Sequence, residues 1–144
     1  MSALTSDLKT LLADSVTMYF VAHGYHWNVE GSDFSQYHSL FADIYEDVYS
    51  SIDTLAEDLR KLDEYAPFTL SKFIELRTVE SVEVSPNPKA MAKALLKVNQ
   101  GVLETISKAF DSATKANEQG IANFLAERDD MHKKWAWQLT ASTK

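Results

Sequence analysis

The stretch HWNVEGSDFSQYHSLFADIYEDVYSSIDTLAE, residues 26–57, decides the fold of this chain and carries its chemistry. It contains two of the four histidines, His26 and His38, and its acids include a pair spaced i, i+4, Asp53 and Glu57. That spacing stacks two side chains on one face of a helix. Because imidazole and carboxylate groups are ligands for first-row metals, the stretch predicts a metal site.

One long helix is predicted over residues 33–62, because apolar and aromatic side chains recur there in steps of three and four. These side chains, which we interpret as core residues, are Phe34, Tyr37, Phe41, Tyr45, Val48, Ile52, Leu55, Leu59 and Leu62. A similar pattern predicts an amphipathic helix over residues 4–26. Gly31 ends the turn between the two helices, and Ser32 or Asp33 can cap the second one.

A long connection follows the second helix. Pro67 stops the helical pattern, and residues 66–88 contain one short helix at about residues 70–75. A crossover of this length indicates that the second and third long helices run parallel. Asn87 before Pro88 is an N-cap and first-turn pair that starts the third long helix.

The last two long helices are predicted at residues 88–115 and 121–141, separated by Gly120. The predicted fold class is therefore all-α: a four-helix bundle, up-down-down-up, with a long crossover carrying a short helix between helices 2 and 3. We expect residues 1–144 to form a single domain.

The spacing of the four candidate ligands favours a site shared between two chains. His38 and Asp53 are 15 residues apart, which is about 22 Å along a helix axis, so one ion cannot touch both within one chain. The turn before the helix instead brings His26 towards His38. A two-fold axis near residues 45–48 would place the histidines of one chain beside Asp53 and Glu57 of another, giving two equivalent sites per dimer.

The composition excludes several functional classes. The absence of cysteine removes disulfides and thiolate chemistry and fits a cytoplasmic protein. The longest apolar run, residues 16–22, is too short to span a bilayer, and no phosphate-loop, dinucleotide or GxSxG motif is present. The formal net charge of −7 opposes nucleic-acid binding, argues against nucleoid association, and attracts metal cations.

Each candidate ligand also has an ordinary structural explanation. Asp53 and Glu57 could form a solvated acidic stripe, and His38 could be a satisfied interface histidine. His23 lies near the end of the first helix, where capping is our preferred explanation. The stripe formed by Lys89, Lys93 and Lys97 is best explained as a solvated face, with anion or DNA contact as the lesser alternative. The chain contains no Glu-x-x-His, the motif of ordinary ferritin-type bundles.

A resemblance covers nearly the whole chain. The run AHGYHWNVEG, then His38 and Phe41, then Asp53-x-x-Ala56-Glu57, resembles the Dps family of mini-ferritins. The connecting segment and the residues Arg128, His132, Lys134, Trp137 and Leu139 of the last helix are similar to that family too. The resemblance implies a ferritin-like four-helix bundle. It also implies a hollow dodecamer built from two-fold dimers, with ferroxidase centres at the dimer interfaces.

The resemblance also implies roles for individual residues. His26 and His38 match the family's histidine ligands, Asp53 the carboxylate of the main iron site, and Glu57 the bridging carboxylate. Trp27 matches a tryptophan beside the centre that takes up stray oxidising equivalents. The implied activity is oxidation of Fe(II), preferentially by hydrogen peroxide rather than dioxygen, with storage of ferric oxide inside the shell and protection against oxidative stress.

Three departures from the family pattern are visible. The acid usually found four residues after the second histidine is replaced by Ala42, and Asp43 points about 100° away on a helix, so we expect one firm and one weak iron position. A Lys-rich tail is missing, so DNA binding should be weak or absent. In the family, acids near the start of the last helix often line the iron-entry pore, and the matching positions here hold Gly120 and Asn123. Four nearby acids could compensate for the missing ones: Glu118, Glu127, Asp129 and Asp130.

Two other functions remain open at this point. The first is a non-enzymatic shell or DNA-associated structural protein whose site, eroded at Ala42, no longer turns over iron. The second is a zinc site, because zinc accepts the same nitrogen and oxygen ligands.

Overall fold

The computed structural model describes residues 2–144, and the described residues form helices and no strands. The helices are α1 (Ala3–Asn28), α2 (Phe34–Lys61), α3 (Leu70–Leu76), α4 (Pro88–Lys115) and α5 (Gln119–Ser142). The predicted all-α class is confirmed, and α3 is the short helix expected in the crossover. Among residues 2–144, none of the helices has the length and apolar character that a membrane-spanning segment needs.

The helix boundaries follow local capping chemistry. Asn87 accepts a hydrogen bond from the backbone N–H of Ala90 and caps α4, as predicted. Asp33 is the N-cap residue of α2, but its side chain makes no capping hydrogen bond. Gly120 was predicted to separate the last two helices, and that is wrong, because α5 already begins at Gln119. The break instead lies just before, where Asn117 adopts a left-handed conformation with φ of 59°.

Long-range hydrogen bonds fix the directions of the helices. Lys9 near the start of α1 pairs with Glu64 just beyond the end of α2. The Ser112 hydroxyl near the end of α4 donates to Asp7 near the start of α1. The hydroxyl of Tyr37, near the start of α2, donates to the backbone carbonyl near the end of α5. The order is therefore up-down-down-up, as the long crossover indicated.

The core lies along the bundle axis and uses only part of the predicted α2 stripe. Tyr37, Phe41, Val48, Leu55 and Leu59 are buried. The remaining members of the stripe are exposed or half-buried; they are Phe34, Tyr45, Ile52 and Leu62. The interpretation of every aromatic in α2 as a core residue is therefore wrong for Phe34, which is 40% exposed.

The crossover is fastened to the bundle by one buried carboxylate. Asp14 on α1 is fully buried and accepts hydrogen bonds from the backbone N–H groups of Thr78 and Val79 at 2.6 and 3.2 Å. The hydroxyls of Thr78 and Thr105 donate to its other oxygen, each at 2.7 Å. These donors satisfy the buried charge and hold the crossover against α1 and α4.

Replacing Gly101 by alanine should destabilise the protein by about 1–3 kcal/mol, the usual penalty for overpacking. An added Cβ would clash with the Cγ1 atom of Val79. Val79 cannot easily retreat, because its backbone is held by Asp14. The free energy of unfolding in guanidinium measures the effect. Gly120→Ala is the control, since nothing lies within 4 Å of its added Cβ, and an equal loss there would contradict the packing explanation.

A second buried polar network joins α2, α4 and α5. Both oxygens of Asp47 accept hydrogen bonds from Arg128 at 2.9 Å, and the Trp135 indole N–H donates to the same carboxylate at 2.8 Å. Arg128 also donates to Nε2 of His132 at 3.0 Å. His132 Nδ1 then donates to the side-chain oxygen of Asn99 at 2.8 Å. This assigns the neutral Nδ1–H tautomer to His132, because the arginine can only donate.

Acid should destabilise the fold through His132. Burial, and next the charge of Arg128, lower the pKa of His132 to about 3. An unfolded histidine titrates near 6.5, so between pH 6.5 and 3 the unfolded state binds one more proton, and stability falls as pH is lowered. The expected slope is about 1.4 kcal/mol per pH unit in that window.

Asp47 contributes to the loss of folding stability in acid only at still lower pH. Burial alone would raise the pKa of Asp47, but hydrogen bonds from Arg128 and Trp135 outweigh burial and lower it. Its contribution to stability is present above the ordinary carboxyl pKa and is lost as pH falls through the lowered value. Denaturant unfolding at pH 7, 6, 5 and 4 tests whether His132 causes the loss of stability in acid. The variant His132→Leu should be less stable at pH 7 yet show a flatter dependence, and an unchanged slope would contradict it.

Candidate metal centre

The turn between α1 and α2 is held in place by the crossover. The backbone N–H of Glu30 donates to the carbonyl of Pro86 at 3.0 Å, and Val29 is buried. Gly31 has φ of 128°, a conformation that favours glycine. The turn therefore sets the last residues of α1 firmly against the first residues of α2.

His26 and His38 are brought together as the sequence predicted. Their rings stack with centroids 3.7 Å apart and planes 16° from parallel. Nδ1 of His26 lies 2.7 Å from the backbone carbonyl oxygen of His38, and Nδ1 of His38 lies 2.7 Å from the carbonyl oxygen of His26. The two hydrogen bonds are reciprocal, so each histidine orients the other.

These two hydrogen bonds assign the tautomer of both rings. A carbonyl oxygen can only accept, so each Nδ1 must carry the hydrogen. In the neutral form of such a ring, the lone pair is on Nε2. A hydrogen bond from the other ring nitrogen to a backbone carbonyl is a usual way in which proteins orient a metal-binding imidazole. The pair can therefore offer two nitrogen ligands side by side.

The two carboxylates lie elsewhere in the same chain. Asp53 and Glu57 are exposed on α2, and α2 is continuous, so they lie about 20 Å or more from the histidine pair. Within residues 2–144 of one chain, no group of three His, Asp or Glu side chains is placed to hold a metal ion. One chain thus contains two separate candidate half-sites: the two histidines lie together, and the two acids lie far from them.

The face that carries both half-sites exposes large aromatic side chains. Phe20 is 52% exposed, Trp27 64%, Phe34 40% and Tyr49 61%. A patch of this kind on an otherwise polar helix pair is typical of a protein interface. Trp27 lies near the histidines, and its ring is 4.3 Å from that of His23.

His23 does not cap α1, which corrects the interpretation from sequence. Its Nδ1 lies 2.8 Å from the hydroxyl of Tyr19, and its ring stacks on Tyr45 with centroids 3.8 Å apart. Burial, and next the neighbouring His26, lower the pKa of His23, so the ring is neutral at pH 7. The i, i+4 spacings of Tyr19 with His23 and of Tyr45 with Tyr49 were the available sequence signal for this cluster.

The remaining departures occupy defined places. Ala42 lies half-buried one turn after His38, and Asp43 is exposed on the next position round the helix.

At the start of α5, Gly120 and Asn123 are exposed. Among the acids that could compensate there, Asp129 pairs with a lysine and half-buried Glu118 is the N-cap residue; Glu127 and Asp130 are exposed. The stripe of Lys89, Lys93 and Lys97 is exposed, as a solvated face should be.

Comparison with known proteins gives a consistent picture. A family model for the ferritin-like domain matches residues 5–143. A Helicobacter pylori protein named DNA protection during starvation protein is 29% identical over 135 residues, covering 93% of this chain and 94% of that protein. The X-ray structure of Dps from Thermosynechococcus elongatus has a TM-score of 0.94 at 25% identity, covering 98% of this chain and 90% of that one. The Vibrio cholerae Dps structure, described as a member of a broad superfamily of ferritin-like diiron-carboxylate proteins, has a TM-score of 0.93 at 25% identity, with 98% and 89% covered.

Proposed function

This chain belongs to the Dps family of ferritin-like diiron-carboxylate proteins, and from that premise we propose that it is an iron-storing ferroxidase. It oxidises Fe(II), preferentially with hydrogen peroxide and otherwise with dioxygen, at centres shared between two chains. Ferric oxide is then retained inside a hollow assembly of twelve subunits. The benefit to the cell is that free Fe(II) and peroxide, which together produce hydroxyl radicals, are both consumed.

The observation that carries the proposal is the reciprocal hydrogen bonding of His26 and His38. Each backbone carbonyl fixes the Nδ1–H tautomer of the other ring at 2.7 Å. A purely structural histidine pair has no need for two unprotonated Nε2 atoms on stacked rings. Two such nitrogens complemented by carboxylates form a donor set that suits iron.

The roles of the individual residues follow from this donor set. His26 and His38 bind the substrate Fe(II) through Nε2, and Asp53 of a second chain supplies the anionic ligand of the firm iron position. Glu57 of that second chain reaches a further iron ion and bridges the two. Trp27 lies beside the centre as a sink for stray oxidising equivalents. The formal charge of −7 per chain draws cations towards the assembly.

The oxidation is balanced when two Fe(II) ions each give one electron to one peroxide. Two protons are consumed and two waters are formed. The protein holds the iron, brings it into reach of the oxidant, and excludes the rest of the solvent by closing the dimer interface over the site. Exposed Phe20 and Tyr49 are the residues that this closure would bury.

Iron retention on a sizing column tests the proposal. The purified apo-protein is loaded with excess Fe(II) and peroxide without oxygen, and protein and ferric absorbance are read together. Ferric iron should elute with a particle of about twelve subunits. A particle that emerges empty while iron precipitates would instead support the non-enzymatic shell.

The second iron position should be weak because Ala42 supplies no ligand. We expect titration with Fe(II), or with Co(II) as a surrogate, to reveal one tight ion per centre and a second, mainly water-ligated one. Ala42→Asp places a carboxylate one turn after His38 and should tighten the second ion. Two equally tight ions in the original protein would contradict the prediction, and competition by zinc tests the zinc alternative.

DNA binding is proposed to be weak or absent. Twelve chains at −7 each carry a formal charge of −84, which repels the phosphate backbone. The exposed lysine stripe of α4 is too small to reverse this charge. The protein is therefore proposed to act in the cytoplasm without a stable association with the nucleoid.

A further inference from the structure

A connected group of aromatic rings leads away from the histidine pair. The ring centroids of His26 and Tyr45 are 5.2 Å apart, and Tyr45 stacks on His23 at 3.8 Å. The ring of Tyr19 lies 6.1 Å from Tyr45 and 5.4 Å from His23. Together His23, Tyr19 and Tyr45 form what we call the aromatic cluster. The cluster lies beside the candidate iron ligand His26 and includes the phenol of Tyr19.

Tyr19 differs chemically from the other phenols near the site. Within residues 2–144, it is the tyrosine whose hydroxyl pairs with a nitrogen base, at 2.8 Å from Nδ1 of His23. Burial, and next the nearby Tyr49 and Tyr45, raise the pKa of Tyr19. The phenol therefore stays protonated, and losing an electron from it requires an acceptor for its proton. His23 is that acceptor, in the tautomer that carries hydrogen on Nε2.

The proposed site also has a specific need for another electron donor. Reduction of one peroxide takes two electrons, and a single Fe(II) ion supplies one. With Ala42 weakening the second iron position, many encounters with peroxide involve one bound Fe(II) ion. If no second donor is at hand, that encounter splits peroxide into hydroxide and a free hydroxyl radical.

We infer that Tyr19, with His23 as its proton acceptor, supplies the second electron when peroxide meets a centre holding a single Fe(II) ion. This step takes place at the proposed ferroxidase site and so rests on the proposed function. Fe(II) and Tyr19 each lose one electron, the hydroxyl proton of Tyr19 moves to His23, and peroxide with two protons becomes two waters. A later Fe(II) ion reduces the tyrosyl radical, which regains its proton, so the overall stoichiometry remains two irons per peroxide.

The direct test is freeze-quench EPR of the Fe(II)-loaded protein mixed with peroxide under argon. An organic radical should appear in the original protein, and ring-deuterated tyrosine should narrow its spectrum. The signal should be lost in Tyr19→Phe, which keeps the ring and removes the hydroxyl. It should persist in Tyr49→Phe, the matched control, whose ring lies 5.2 Å from Tyr19.

Two further measurements separate the outcomes. In Tyr19→Phe, a spin trap should detect more hydroxyl radical, and fewer iron ions should be oxidised per peroxide. In His23→Phe, the ring is kept and the base is lost, so the tyrosyl signal should disappear as well. Circular dichroism and the sizing column verify that each variant folds and assembles.

Each failure has a distinct meaning. A radical that is equally strong in Tyr19→Phe, or one that is narrowed by deuterated tryptophan and not tyrosine, would overturn the inference while leaving the ferroxidase function in place. A signal that survives in His23→Phe would overturn the role of His23. If the original protein does not oxidise Fe(II) with peroxide at all, the proposed function fails and this inference fails with it.

Discussion

Replacing Asp53 by alanine is expected to abolish peroxide-driven oxidation of Fe(II) while leaving the assembly intact. The carboxylate is exposed on α2, so its removal costs the fold little. It is the proposed anionic ligand of the firm iron position, and the loss should exceed the roughly 10–100-fold effect known for residues that only support a ligand. His38→Ala should have the same effect. The measurement is the initial rate of ferric absorbance after peroxide addition.

Asp43→Ala is the matched control for this experiment. It removes an exposed acid from the same helix and changes the net charge equally. Asp43 is not a proposed ligand, because it lies about 100° round the helix from Ala42, the position one turn after His38 where the family has an acid. Its rate should be close to that of the original protein. Equal losses of rate in Asp43→Ala and Asp53→Ala would mean that the negative charge of the surface, and not iron binding by Asp53, determines the rate.

Mixing two inactive variants tests whether the site is shared. When His38→Ala and Asp53→Ala chains are coexpressed in equal amounts, half of the dimers contain one of each. One centre of such a dimer carries both changes, and the other carries neither. About a quarter of the original activity should therefore return in a composite two-fold site. No recovery in correctly assembled mixtures would mean that all ligands come from one chain.

Arg128→Ala is expected to destabilise the fold by about 3–5 kcal/mol, the usual cost of removing one partner of a buried ion pair. Arg128 is 6% exposed and donates to both oxygens of Asp47 and to His132. Without the arginine, the Asp47 charge keeps only the Trp135 indole as a donor among the described residues. Denaturant unfolding at pH 7 gives the free energy.

Lys133→Ala provides the comparison for Arg128→Ala. Lys133 pairs with Asp129 at the same 2.9 Å distance, but the lysine side chain is 66% exposed. Such a surface pair contributes about 0–1 kcal/mol because solvent screens it. A similar loss in both variants would show that the burial of Arg128 adds nothing. A small loss in Arg128→Ala together with a raised pKa of Asp47 would mean that the carboxylate becomes neutral in its absence.

The prediction from sequence was best where the signal was local. The apolar repeat of α2, the Asn87 cap and the short helix in the crossover follow from residues a few positions apart, and the structure has all of them. The separation of His38 from Asp53 within one chain was also predictable, because 15 residues of continuous helix lie between them. Its ligand assignments remain predictions that the variants above test.

The chemistry around those ligands depended on contacts that no local pattern encodes. His23 looked like a helix cap, yet its ring stacks on Tyr45 from a different helix and its Nδ1 faces Tyr19. The pairing of Asp47 with Arg128 joins residues 81 apart, and nothing in their spacing distinguished them from surface charges. The error at Gly120 has a similar origin, because the chain turns at Asn117 instead.

The sequence by itself determined the helices, their order and the residue types available to a metal, since helix geometry turns a periodic sequence directly into a periodic surface. The tertiary structure alone decided which groups meet. It placed each histidine Nδ1 on the carbonyl of the other, placed the hydroxyl of Tyr19 beside a ring nitrogen of His23, and paired half-buried Asp47 with buried Arg128. The physical reason is that proton positions, burial and pairing depend on close packing between helices, where displacements of an ångström make or break a hydrogen bond.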